Sequence, residues 1–180
     1  MDGYQLLSLI GTKKPRYDSK YRTLIETISQ KGDTTGSGDF STFGAFYQTF
    51  MYAFIVGLHL IDKHGYAKEY LDNSSEKQEF APLAQWKPSG IKDFILMTLL
   101  NRTDDFRTPF DWMGLENASD ENLSNFSVQL IRELEAYANV GLKYIQNLWD
   151  NQKVIFNDPF VFVNILSDIS NQTNGAKSVD

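Results

Sequence analysis

Hydrophobic positions along this chain fall into blocks with helical spacing, and one block is apolar nearly all round. From Phe43 to Ile61, nineteen consecutive residues contain no Asp, Glu, Lys or Arg, and six of them are aromatic: Phe43, Phe46, Tyr47, Phe50, Tyr52 and Phe54. Such a helix either spans a membrane or forms the buried centre of a larger fold. The run is close to the length of about 20 residues that a span needs. However, Gln48, Thr49 and His59 interrupt it, and neither flank carries a one-sided cluster of Lys and Arg. The pattern predicts a buried central helix over Phe43–Ile61, capped by Ser41 or Thr42 and closed by Gly65.

The other blocks read as cover for that helix. Tyr4, Leu6, Leu7 and Ile10 suggest a short helix ended by Gly11, after which Pro15 bars a regular helix. Tyr21, Leu24, Ile25 and Ile28 lie at i, i+3, i+4 and i+7, which predicts a helix over Lys20–Gln30 capped by Asp18 or Ser19. Gly32–Asp39 reads as a flexible polar linker. Tyr66–Leu71 adds one or two helical turns in this reading. Asp72–Lys87 has no period and reads as an irregular connection anchored by Phe80, Leu83 and Trp86. A helix over Gly90–Asn101 has an apolar set (Ile91, Phe94, Ile95, Met97, Leu99, Leu100) wide enough to imply burial on two sides. Arg102–Ala118 reads as a loop.

Ser119 opens the longest predicted helix, Asp120–Asp150, whose stripe includes Leu123, Phe126, Leu130, Leu134, Tyr137 and Ile145. Asp120 and Glu121 complement the dipole of its first turn. Gly141 within that stripe either costs about 1 kcal/mol relative to Ala or marks a close approach to the central helix. Asp158-Pro159 is a helix start, yet Phe160–Ile169 and Lys153–Phe156 are also rich in strand-forming residues. The expected fold is therefore mostly α: a single-domain helical bundle over residues 1–170, with a small β element near the C-terminus and a polar tail over 171–180.

Composition narrows the class. The 180 residues are 42% hydrophobic, enough to bury a core, and the net charge of −6 argues against broad coating of nucleic acid. With no cysteine, disulfides and thiolate zinc sites are excluded. The N-terminus lacks the basic stretch and apolar run of a signal peptide, so the expected location is cytoplasmic.

The candidate chemistry is sparse. His59 and His64 are five apart and do not share a helix face, so they make no metal pair. Gly32, Gly36 and Gly38 lack the Gly-Lys-Ser/Thr ending of a phosphate cradle. Asp104, Asp105 and Asp111 cluster in a predicted loop beside Arg102 and Arg107, which suits local ion pairs better than acid/base work. No catalytic, cofactor or metal residue is assigned. The charge feature that stands out is Lys13, Lys14, Arg16, Lys20 and Arg22, with Tyr17 and Tyr21 interleaved. Such a cluster suits phosphate contacts on DNA or an acidic partner protein.

The basic helix, the Gly/Ser linker, Phe40-Ser-Thr-Phe43 and Phe50-Met-Tyr-Ala-Phe-Ile-Val-Gly57 together resemble small helical proteins associated with bacterial DNA phosphorothioation (Dnd) and related defence systems. The likeness covers Arg16–Leu60 and contains no catalytic motif. It implies an accessory or adaptor subunit of a bacterial multiprotein assembly directed at DNA. The alternative is an enzyme whose helical site uses Asp104, Asp105 or Asp111. An exposed apolar patch would favour the adaptor, and shifted carboxylates in a pocket would favour the enzyme. Oligomeric state is not legible in the sequence.

Overall fold

The structure, a computed structural model, describes residues 3–29, 43–108 and 118–171. It is mostly α, and its one small sheet has two strands. The described chain divides into two compact units, Met1–Ser19 with Tyr70–Ala136, and Lys20–Glu69 with Tyr137–Asp180.

In the first unit, α1 (Gly3–Thr12) buries Leu6 and Ile10. Pro15 then stops helical continuation, and the chain extends into β1 (Arg16–Asp18). β1 pairs antiparallel with β2 (Lys77–Glu79), placing Arg16 opposite Glu79, Tyr17 opposite Gln78 and Asp18 opposite Lys77. Tyr17 meets Phe80 at a centroid distance of 4.7 Å. Phe80, Leu83 and Trp86 are all buried, as the anchoring reading of Asp72–Lys87 requires, and the Trp86 indole donates to the Ala81 carbonyl at 2.8 Å. α4 (Ser89–Leu100) follows. α5 (Asp120–Gln152) opens with Ser119 as cap, its Oγ accepting the Asn122 N–H at 3.3 Å.

The second unit opens at Lys20, within the turn Ser19–Tyr21, and continues into α2 (Arg22–Thr27); Tyr21, Leu24, Ile25 and Ile28 are buried. α3 (Phe46–His64) is the predicted central helix, with ten residues from Thr49 to Leu60 buried. Gly65 ends it with φ 70°, a left-handed conformation open to glycine, and its N–H returns to the Ile61 carbonyl. α3 and the C-terminal half of α5 touch backbone to backbone. A Cβ on Gly57 would strike the Tyr137 carbonyl, and one on Gly141 would strike the Ala53 carbonyl. Gly141 thus marks a close approach to the central helix. α6 (Val161–Asn171) buries Val161, Ile165 and Ile169. Asp158 starts it, accepting the Phe160 N–H at 2.8 Å.

Several expectations need correction. The small β element joins Arg16–Asp18 to Lys77–Glu79 and is not near the C-terminus; Lys153–Asn157 is a 3₁₀ turn and Val161–Asn171 a helix. Tyr66–Leu71 is not helical. α3 begins at Phe46 with no side-chain cap, because its N-cap Ala45 has no acceptor to offer; ahead of it the Phe43 N–H is taken by the Ile28 carbonyl at 2.7 Å. The Phe43 ring lies against Phe162 and Tyr52 at 4.2 and 5.0 Å. α2 likewise has no side-chain cap, since Asp18 belongs to β1. The Gly32–Asp39 linker, Ser41, Thr42 and the tail beyond Asn171 lie outside the described residues. No helix among the described residues is long and apolar enough to cross a membrane.

Candidate functional site

A cluster of charge in the first unit lies on one face of α5. At 100° per residue, Glu135, Arg132, Gln129 and Glu133 fall in that order around an arc of about 160°. Glu133 and Glu135 are both only 2% exposed. A buried carboxylate must be paired, and each of these is. On one flank, β1 brings Arg16 to Glu135: the Arg16 backbone N–H donates to Oε1 at 2.8 Å, Nε to Oε1 at 3.2 Å and Nη2 to Oε2 at 3.3 Å. On the other flank, Glu133 Oε1 accepts the Tyr70 hydroxyl at 2.7 Å and the Arg107 backbone N–H at 2.9 Å.

Between the flanks is a cleft of about 330 Å³ lined by four basic side chains (Arg16, Lys77, Arg107, Arg132) and the two carboxylates. Burial pushes the Glu135 carboxyl above its ordinary range, against the pull of Arg16 and Arg132. The hydrogen bonds to Glu135 raise the Arg16 guanidinium despite its partial burial. Burial, then the bond to Glu133, raise the Tyr70 phenol. The Arg107 guanidinium lies over the Tyr70 ring, 5.4 Å from its centroid.

Four of the five cations singled out in the sequence have a partner close by. Lys14 pairs with Glu79 at 3.9 Å, Arg16 with Glu135 and Arg22 with Glu26 at 2.8 Å, while Lys20 lies over the Tyr21 ring. Lys13, Lys14 and Arg16 belong to the first unit and Lys20 and Arg22 to the second. Asp104 and Asp105 are exposed on the turn after α4 and line neither this cleft nor the one described below; Asp111 lies outside the described residues. Each histidine donates to a backbone carbonyl: His59 Nδ1 to Ile55 at 2.9 Å and His64 Nε2 to Ile169 at 2.8 Å. Among the described residues no group of three His, Asp or Glu could hold a metal.

Glu133 and Glu135 did not emerge as site residues from the sequence. One signal was present: Glu133 is three residues after Leu130 and four before Tyr137, on the apolar stripe itself. A charge at a core position requires a partner from elsewhere in the chain.

A second apolar feature is equally defined. On α4, Ile95, Leu96 and Leu99 are buried, but Ile91, Phe94 and Met97 are 39%, 51% and 58% exposed. Their spacing of three places them along one side of the helix. The two-sided apolar pattern of this helix is thus covered on one side only.

No family model matches the chain, and no curated protein and no solved structure matches it.

Proposed function

We propose that the protein is a non-enzymatic adaptor subunit of a multiprotein assembly, and that the open face of α4 is where it holds a partner. The observation that carries this reading is the exposed row Ile91, Phe94 and Met97. Three large apolar side chains in register on one helix suit an amphipathic partner helix, whose anchors repeat at i, i+3 and i+4. The buried carboxylates support the same reading over a catalytic one. Glu135 is occupied by three bonds from Arg16 and Glu133 by Tyr70 and Arg107, so both serve as internal ties. A bacterial, DNA-directed defence setting is what the Dnd-like resemblance implies, and it belongs to the proposal.

The test is site-specific photo-crosslinking in the native cell, with the photoreactive residue at Phe94 and, as control, at the exposed Val154 of the second unit. One discrete heterologous adduct at Phe94, abolished by Ile91→Glu, is expected. No discrete adduct, or only a self-adduct, would overturn the reading.

A further inference from the structure

We infer that the α5 cleft is a binding site for a small dianion, a phosphate monoester or a dicarboxylate. The inference is independent of the α4 face. Four cations and two carboxylates line the cleft, leaving a surplus of two positive charges in a chain whose net charge is −6. Glu79 and Asp72, outside the lining, act on Arg16 and Lys77, so the charge left to a ligand centres on Arg107 and Arg132. Glu135 is bonded on both oxygens by Arg16, and Glu133 accepts a phenol O–H and a backbone N–H. Arg132 is exposed, and its guanidinium makes no hydrogen bond or ion pair among the described residues. The Arg107 guanidinium lies over the Tyr70 ring and bonds no acceptor among the described residues. Among the described residues Lys77 Nζ donates to the carbonyls of Asn73 and Ser75, and Asp72 is near enough to feel its charge.

A planar guanidinium presents paired donors that match the two oxygens of a carboxylate or phosphate. The cleft volume is at the small end of ligand sites. The side-chain oxygen of Gln129, also in the lining, is buried without a partner. A buried polar atom left unsatisfied is costly.

The second unit offers an internal contrast. Its cleft of about 440 Å³ is lined by Asp158 and Asp168 with no basic side chain, and it would repel the same ligand.

The experiment uses the full chain near neutral pH. Inorganic phosphate and succinate are titrated calorimetrically at constant ionic strength against wild type, Arg132→Gln and the control Lys63→Gln, which sits on an exposed position of α3. At least one of the two anions should bind, and whichever binds more tightly names the source. Arg132→Gln should weaken that binding about tenfold or more, while Lys63→Gln leaves it unchanged. Arg132 is exposed and acts on Glu135 only through space, so its variant should melt close to wild type. Absence of binding by both anions, or equal affinity in Arg132→Gln, would overturn the site.

Discussion

Glu135 is the single side chain on which the stability of the first unit should depend most visibly through pH. Burial raises its folded-state pKa above the unfolded value of about 4.3. Between those two values the folded chain holds more protons than the unfolded one, so this contribution is fully present below the unfolded pKa. It is lost as pH rises through the folded pKa. Arg16 offsets the cost of the charged form. Arg16→Ala leaves the buried carboxylate with only a backbone N–H, a loss of about 2–3 kcal/mol at neutral pH. The loss should shrink as acid protonates Glu135, and it should nearly vanish in the Glu135→Gln background, where no charge remains to be paired. Denaturant melts of the four-member cycle from neutral pH down through the carboxylate range would check this. A loss that is the same at every pH would show that Arg16 acts through its stem alone.

At the scale of elements, the crossing of α3 and α5 makes a prediction opposite in sign to helix propensity. Alanine is better than glycine in a helix interior by about 1 kcal/mol, so Gly141→Ala would stabilise a free-standing helix. Here the new methyl meets the Ala53 backbone carbonyl, which has no rotamer to yield with. The expected result is a loss of about 1–3 kcal/mol or more, read from chemical denaturation, with Gly57→Ala behaving alike against Tyr137. This contact was legible in the sequence because a glycine in a proline-free apolar stripe wants a packing reason. The long helix, its Ser119 cap and the Gly65 stop were legible for similar local reasons, each resting on one turn of chain. The β1–β2 ladder was not, since three residues are too few to show a period and the partners lie sixty positions apart. The C-terminal segment was ambiguous by composition; the Asp158 cap and the i, i+4, i+8 spacing of Val161, Ile165 and Ile169 outweigh the strand preference of its Val, Phe and Ile. The site suffered most. Arg16 was visible as a charge, but its partner Glu135 is 119 residues away, and only the fold joins them.

For the molecule as a whole, the decisive quantity for any DNA role is how firmly its cations are held, given a net charge of −6. The Arg16 and Arg22 side chains are held by carboxylates at 3.2 and 2.8 Å. The Lys14–Glu79 pair is exposed on both sides and 3.9 Å long, so it opens at little cost. Lys20 keeps its charge over the Tyr21 ring, and the Lys13 side chain makes no ion pair among the described residues. Each phosphate neutralised on duplex DNA contributes about −0.9 to the slope of log affinity against log salt. All five cations acting together would give a slope of about −4.5, whereas the three lysines alone give about −2.7. A salt titration of fluorescent duplex DNA with the isolated chain should therefore return a slope no steeper than about −3. Lys13→Ala, Lys14→Ala and Lys20→Ala together should abolish it while sparing the Arg16–Glu135 tie, so that a change in binding is not confused with a change in folding. A slope near −4.5 would mean that both arginines leave their carboxylates for phosphate. If no binding appears even at low salt, repulsion by the acidic remainder prevails, and an acidic partner protein becomes the better occupant of these lysines.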